Sequence, residues 1–230
     1  MITGAMTTPT VRQQWIELIA VVCIGVLPDL YQSTIIALGF EPTPETFAET
    51  AVFVLLRSLW VSVPVLYLIH RSGDRAAAFG LVRPRWTDLP IAVLVVVGNV
   101  AAAGVVAQLL STLSADDLAA AGSGVVLAKP QGAVDHGLLT AVSLANGFAE
   151  ELVVRAYLIT RLRAFWGPVR AVAASTLLFA AYHTYQGPAA ALMIAAGGVV
   201  FAVAFLTFPR LAPVAMAHAA LDFHAYTAIP

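Results

Sequence analysis

Most of this chain consists of apolar segments long enough to cross a lipid bilayer. A spanning helix needs about 20 mostly apolar residues, and the 230 residues contain seven such windows. Only 11% of the residues are charged, whereas an average soluble domain has about 25%. We therefore predict an all-α, polytopic transmembrane helix bundle. The windows are 15–39, 50–69, 89–111, 137–160, 171–185, 189–208 and 212–229.

Two breaks in the apolar pattern bear on the number of helices. Pro28-Asp29 interrupts the first window, which is then either one kinked span or two short segments, so an eighth element is an open alternative. Gly187-Pro188 joins the fifth and sixth windows as a tight helical hairpin. We expect one integral-membrane domain, with a three-span accessory region at 1–136 and a four-span core at 137–230.

The basic residues orient the predicted bundle, because cytoplasmic loops of membrane proteins carry an excess of Lys and Arg. With the N-terminus inside, nine arginines fall in inside loops and only Lys129 in an outside loop. We predict a protein of the cell membrane with a cytoplasmic N-terminus and an outside C-terminus. The inside arginines are Arg12, Arg71, Arg75, Arg83, Arg85, Arg161, Arg163, Arg170 and Arg210, and the outside carboxylates are Glu41, Glu45, Glu49, Asp116, Asp117 and Asp135. The net charge of −1 gives no indication of nucleic-acid binding.

A few ionisable residues remain inside the windows. Charge at membrane depth costs roughly 2.5–3.5 kcal/mol per residue even on a lenient scale, so we expect these residues to have a use. Arg57 either pairs with an acidic residue of a pocket or extends toward water, and the sequence does not decide between the two. The set is Asp29, Arg57, Glu150, Glu151, Arg155, His183, His218, Asp222 and His224.

Glu150 and Glu151 are adjacent, but we expect them to have different interaction partners. Glu151 and Arg155 are four residues apart and share a helix face, which suits a structural ion pair. Glu150 is rotated by about 100° from Glu151 and lies on the stripe of Asn146, facing another helix. A second buried carboxylate needs a histidine, a metal ion or water from a neighbouring span.

The histidines each have an ordinary structural interpretation as well. His183 on an apolar helix can be a packing residue, and His218 with Asp222, four positions on, can form a simple hydrogen bond on one helix surface. Their depth in the membrane favours a shared site over separate structural roles. At 1.5 Å of rise per residue, the inner or middle part of a ~30 Å core contains Glu150, His183, His218 and Asp222. Polar residues at depth face the bundle interior, so we predict that they converge on one wet pocket.

These residue types can activate water. A carboxylate beside a neutral imidazole can hold and deprotonate a water molecule, or the same set can bind a divalent metal such as zinc. In both cases an activated water attacks a carbonyl, and a second histidine can stabilise the oxyanion. The chain has neither a serine nucleophile elbow nor a His-Glu-x-x-His helix.

Three motifs, in this order and spacing, resemble the CAAX prenyl protease and bacteriocin-processing family of intramembrane proteases, also called the abortive-infection-like family. They are Glu150-Glu151-x-x-x-Arg155, Phe179-x-x-x-His183 and His218-x-x-x-Asp222. Ala156-Tyr157-Leu158 is similar to the family's Gly-x-Leu continuation, with Ala in place of Gly, and 195–201 resembles its small-residue helix. The resemblance covers about 137–222.

The resemblance implies a membrane endopeptidase whose polar cavity lies among the helices, with 137–230 as the catalytic core. By that similarity Glu150 is the general base, His183 holds the same water, and His218 with residue 222 stabilises the oxyanion. Eukaryotic-type relatives have Asn at that last place. Asp222 cannot donate a hydrogen bond unless it is protonated, which favours orienting His218 or binding metal. Glu151, Arg155, Phe179 and Asn146 would support the site, and a metal, if used, would be held by the four candidate catalytic residues.

Two other functions compete with proteolysis. A non-catalytic membrane scaffold or bacteriocin-immunity-type protein could keep the same pocket. An ion- or proton-coupled transporter could relay protons through it, but such transporters have two related halves with broken helices, and the sequence has no such repeat. The expected partners are the lipid bilayer and a membrane-associated protein or peptide. Nothing in the sequence indicates a prenyl-binding residue or the oligomeric state.

Overall fold

The computed structural model describes residues 10–40, 46–112 and 129–227, and every regular element in them is helical, as predicted. Four predicted outside carboxylates, Glu41, Glu45, Asp116 and Asp117, lie outside the described residues. The main helices are α1 (Val11–Gly25), α2 (Leu27–Ala37), α3 (Phe47–Arg71), α4 (Asp88–Leu110), α5 (Gly132–Glu151), α6 (Thr160–Ala181), α7 (Pro188–Thr207) and α8 (Leu211–Thr227). The shorter elements are 3-10 turns at Ala76–Phe79 and Thr184–Gln186 and a π-helical stretch at Leu152–Ile159.

The number of spans is lower than the seven predicted windows when it is counted by helix length. Among the described residues, four helical runs are long and apolar enough to cross a membrane, or five if the bent α1–α2 pair is one span. The fourth window and most of the fifth fall in one run of 50 residues, Gly132–Ala181. The last window forms α8, whose 17 residues reach only about 26 Å at 1.5 Å per residue.

The run from α5 to α6 is a helical hairpin and not one straight helix. Gly167 has φ 77° and ψ 169°, a backbone conformation that interrupts the helix, and Pro168 follows it. The second arm returns beside the first. A hydrogen bond between the arms shows this: the Ser175 hydroxyl donates to the Val154 carbonyl oxygen at 2.5 Å. The fourth and fifth predicted windows are therefore the two arms of this hairpin.

The break near Pro28 separates α1 from α2. Val26 has φ −126° and ψ −44°, the two helices are bent by 44°, and Pro28 lies in the first turn of α2. Proline suits this position because the first helical N–H groups need no intrahelical acceptor. The eighth element left open by the sequence is present as this second short helix.

Helices α5 and α8 lie at the centre of the bundle. Helix α5 packs against α8 and α3, while α4 packs against α7 and α8. All eight residues of the π-helical stretch are buried. In contrast, α3 and α4 turn large apolar side chains outward, among them Trp60 at 69% and Leu94 at 68% exposure, as expected for surfaces facing lipid. The division at residue 136 stays a prediction.

Two ion pairs join loops that we predict to lie on the same side of the membrane. Arg161 at the start of α6 donates to Asp74 at 2.7 Å, and Arg210 before α8 donates to Asp88 at 2.6 Å. The Asp88 carboxylate raises the pKa of Arg210 because it accepts hydrogen bonds from the guanidinium. Segment 72–88, the start of α6 and segment 208–210 therefore meet at one end of the bundle, which agrees with the arginine pattern.

Gly147 allows α5 and α8 to approach closely, and we predict that Gly147→Ala destabilises the bundle. A Cβ atom at 147 would lie 2.8 Å from the Ala219 backbone nitrogen and 3.0 Å from the Ala215 carbonyl oxygen. Overpacking of this kind typically costs ~1–3 kcal/mol. Thermal unfolding in detergent micelles would measure the loss.

Gly137→Ala in the same helix is the matched control, since a Cβ there meets nothing within 4 Å. Alanine has the higher helix propensity by roughly 1 kcal/mol, so this variant should be neutral or stabilised. Equal melting temperatures for the two variants would contradict the close approach of α5 and α8.

Candidate active site

Glu150 lies at the end of α5 and is buried, with 8% of the residue exposed. Its Oε2 accepts a hydrogen bond from the Tyr182 hydroxyl at 3.1 Å and lies 3.7 Å from Nε2 of His218. Its Oε1 lies 3.7 Å from Nη1 of Arg57. The carboxylate is thus surrounded by groups from α3, α8 and the end of α6, and it faces other helices as the sequence predicts.

His218 connects three carboxylates. Nδ1 lies 2.9 Å from Oε1 of Glu151, and Nε2 lies 3.7 Å from Glu150 and 3.5 Å from Oδ1 of Asp222. Because a carboxylate oxygen accepts and the first contact is short, Nδ1 carries a proton. Nε2 is then the ring nitrogen that faces Glu150 and Asp222.

Asp222 is one helical turn beyond His218 on α8 and is the more accessible of the two. Its side chain is 23% exposed, against 9% for His218. Its Oδ2 accepts a hydrogen bond from Nδ2 of Asn146 at 3.0 Å. Asn146 therefore belongs to the cluster, as its position on the Glu150 stripe predicts, and it links α5 to α8.

His183 lies just beyond the end of α6, and its ring is fixed by its neighbours. Nδ1 is 2.7 Å from the Phe179 carbonyl oxygen, so Nδ1 donates and Nε2 keeps its lone pair in the neutral ring. The ring lies 4.5 Å from that of Tyr182 and 4.7 Å from that of Phe179. Among the described residues no hydrogen bond or ion pair joins His183 to Glu150; Tyr182 contacts both.

Glu151 and Arg155 form the predicted ion pair and are both completely buried. Nε of Arg155 lies 3.4 Å from Oε2 of Glu151. The guanidinium lies over the ring of Phe179 at 4.4 Å and near that of Phe201 at 5.7 Å, a cation–π arrangement. Phe179 therefore supports the site by covering a buried cation.

Arg57 is part of the cluster and does not extend toward water. Nε donates to Oδ1 of Asp29 at 2.8 Å, and Nη2 is bound to the other oxygen of the same carboxylate. Nη1 donates to Oδ1 of Asn146 at 3.2 Å and faces Glu150. The structure thus favours the first of the two interpretations of Arg57.

Tyr182 is a contact that the sequence analysis missed. It precedes His183 directly and is buried at 3% exposure, yet an aromatic residue beside a candidate histidine on an apolar helix resembles ordinary packing. His224, in contrast, lies on an exposed position of α8 and has no contact with the cluster among the described residues.

The metal-binding alternative is not supported. In the described part of the chain, no group of three or more His, Cys, Asp or Glu side chains is arranged to hold a metal ion. Glu150 instead faces the Arg57 guanidinium, and Asp222 accepts from an amide. Two of the predicted ligands, Glu150 and Asp222, thus already face groups that donate hydrogen bonds or carry positive charge.

A groove opens beside the cluster, between α5 and α8. Its volume is ≈ 260 Å³, and Ser143 on α5 and Ala219 on α8 lie on its two walls. Phe223, next to Asp222, also lines it. The lining residues are Thr140, Ser143, Leu144, Met216, Ala219, Ala220 and Phe223.

We predict that Arg155→Met strongly destabilises the protein, since it leaves Glu151 without its guanidinium in the bundle interior. Breaking a buried pair by removing one partner costs about 3–5 kcal/mol. Chemical denaturation in micelles would measure the loss. Arg163→Met, at an exposed position of α6, is the control and should change stability by less than ~0.5 kcal/mol; similar losses in both variants would contradict the interpretation.

Residues 134–224 match a family model described as Rce1-like, type II CAAX prenyl endopeptidase Rce1-like. No curated protein and no solved structure matches the chain. The matched segment runs from the first turn of α5 into α8, and it contains Glu150, His183, His218 and Asp222. Over residues 134–224 the chain is therefore similar to the Rce1-like CAAX proteases, the group that its three motifs resemble.

Proposed function

We propose that this protein is an intramembrane endopeptidase, which hydrolyses peptide bonds of membrane-associated proteins or peptides through a water activated by Glu150 and His183. The Rce1-like match supports a membrane protease of this family. The observation that carries the proposal is the convergence of Glu150, His218 and Asp222, since Nε2 of His218 lies within 3.7 Å of both carboxylates. These residues come from two helices that are distant in the chain.

In this proposal Glu150 is the general base. It takes a proton from water as the water oxygen bonds to the scissile carbonyl carbon, and a tetrahedral oxyanion forms. The protonated Glu150 then gives its proton to the amide nitrogen as the C–N bond breaks. Tyr182 donates to Oε2 of Glu150, which holds the carboxylate in one orientation during these transfers.

His183 is suited to hold the attacking water. Its Nδ1 donates to the Phe179 carbonyl oxygen, so Nε2 is an acceptor and can receive one O–H of the water. Glu150 would receive the other. A water held by two acceptors is oriented with its lone pair free for the carbonyl carbon, which is the geometry that the attack requires.

His218 is suited to stabilise the oxyanion. Its Nδ1 is bound to Glu151, so a proton on Nε2 makes the ring a donor toward the reacting carbonyl oxygen. Ionised Asp222 only accepts hydrogen bonds; in this proposal its negative charge, 3.5 Å from Nε2, favours the protonated ring, and the Nε2–H is left to donate to the oxyanion. All of these steps use side chains of the chain itself.

We predict that Glu150→Gln lowers kcat by about 10²–10⁴-fold, the usual contribution of a general base. Glutamine keeps the shape of the side chain and removes the base. The measurement is cleavage of a farnesylated CAAX-type peptide by the purified protein in liposomes, with the same peptide lacking the farnesyl group in parallel to test whether the lipid is recognised.

Glu17→Gln is the matched control for this variant. Glu17 on α1 is buried to the same degree, at 7% exposure against 8% for Glu150, and it has no contact with the cluster in the described part of the chain. It should keep the activity of the parent. Undiminished cleavage by Glu150→Gln would refute the mechanism, and rescue of a deletion strain by that variant would favour the scaffold function.

We also propose that the N-terminus is cytoplasmic, with loop 72–87 inside and Asp135 outside. The ion pairs that bring Arg161 to Asp74 and Arg210 to Asp88 support a common side for the arginine-rich loops. In a Cys23→Ser background, Arg85→Cys should react with a membrane-impermeant thiol reagent only in inverted vesicles, and Asp135→Cys only in intact cells. The reverse labelling pattern would show that the protein has the opposite orientation in the membrane.

A further inference from the structure

We propose that Asp29 and Arg57 position the general base, although both lie outside the segment 134–224 that matches the family. This inference rests on the proposed function and assigns a role to two residues of the accessory spans. Arg57 acts on Glu150 directly and on Asp222 through Asn146, so it is a positioning residue. Asp29 holds Arg57 in place.

Asp29 restricts the Arg57 guanidinium. Nε and Nη2 occupy both oxygens of the carboxylate, a bidentate pairing that fixes the plane of the guanidinium. Both side chains are 16% exposed. Since Nε and Nη2 are used, only the Nη1 edge remains to face α5.

The bend between α1 and α2 explains how Asp29 reaches this place. A 44° break at Val26 starts a new helix, and Pro28 in its first turn is followed directly by Asp29. A carboxylate in the first turn of a helix is favoured by the backbone dipoles. The break in the first predicted span thus brings an acidic residue to α3.

Nη1 of Arg57 acts on two side chains of α5. It lies 3.7 Å from Oε1 of Glu150, while Tyr182 and His218 face Oε2. The two oxygens of the base are therefore held from opposite sides. Among the described residues, Arg57 makes the one ion pair recorded at Oε1, so without it the carboxylate is held through Oε2 alone.

Arg57 also fixes the orientation of the Asn146 amide. A guanidinium only donates, so Oδ1 of Asn146 must be the atom that faces Nη1, at 3.2 Å. Nδ2 then faces Asp222 and donates to it at 3.0 Å. A chain of contacts leads from Asp29 through Arg57 and Asn146 to Asp222, which faces Nε2 of His218.

A mere tether between α2 and α3 would behave differently from a positioning residue. A tether needs one positive and one negative partner in either order. Positioning needs the cation at 57, because a carboxylate there would face Glu150 and the Asn146 carbonyl oxygen. The exchanged pair therefore separates the two roles.

The test compares Arg57→Gln, Arg57→Lys and the exchange Asp29→Arg with Arg57→Asp, using cleavage of the farnesylated peptide in liposomes and thermal unfolding in micelles. We expect Arg57→Gln to lower kcat by about 10²-fold, the loss typical of a misplaced catalytic group, with KM unchanged within about twofold. Lysine keeps the charge and N–H donors and should recover part of kcat. The exchange should recover thermal stability but not kcat.

Arg210→Gln is the matched control, since Arg210 has a similarly exposed side chain, 15%, and pairs with Asp88 far from Glu150 along the bundle. It should lose stability and keep kcat. If Arg57→Gln has the kcat of the parent, or if the exchange fully recovers kcat, the positioning role is wrong. In that case an inactive Glu150→Gln variant still supports the proposed function. Full activity in Glu150→Gln would refute both.

Discussion

The burial of two adjacent carboxylates is the constraint on which the rest of the bundle depends. Glu150 and Glu151 are 8% and 0% exposed, and an uncompensated buried charge costs several kcal/mol. A guanidinium therefore lies near each carboxylate: Arg155, from the same helical run, is 3.4 Å from Glu151, and Arg57 of α3, which is paired with Asp29, is 3.7 Å from Glu150. His218 lies between them. These contacts require α3 and α8 to lie against α5, and α5 packs against both of these helices.

The site lies directly before an irregular part of the helix. Helix α5 ends at Glu151, and the π-helical stretch Leu152–Ile159 follows. Such widened turns are rare in proteins, and those that occur are often found at functional sites. Here the stretch is fully buried and carries Arg155 under Phe179, so the change of helical geometry and the buried cation occur in the same segment. Apolar periodicity gives no sign of it, because the residues of this stretch are buried on all faces.

Sequence reasoning predicted that some of the polar residues lie close together, but it did not predict all of their partners. Counting residues from the end of each window put Glu150 and Asp222 at similar depth, and the structure brings both to His218. Depth along a helix fixes one coordinate. The rotation of each helix about its axis fixes the partner, and that depends on packing, so Arg57 remained undecided and Tyr182 was missed.

The lengths of the spans show the same limit. Hydropathy separated windows 137–160 and 171–185, which are the two arms of the hairpin, but it did not show that one helical run connects them or that the fold-back lies at Gly167. It also could not tell whether α8 is long enough to cross alone. Spacing within one helix was the most reliable signal: Glu151 with Arg155 and His218 with Asp222 are both in contact.

The charge balance of the cluster explains why a positioning arginine would come with its own carboxylate. An arginine without a carboxylate partner of its own would enter the membrane at a cost that translocation scales put at roughly 2.5–3.5 kcal/mol. Asp29 removes that cost because the pair is neutral. The pair nevertheless presents its positive side to Glu150, because Asp29 lies on the opposite edge of the guanidinium. Under the positioning proposal, α2 and α3 therefore bring an oriented, neutral ion pair to Glu150 without changing the net charge around it.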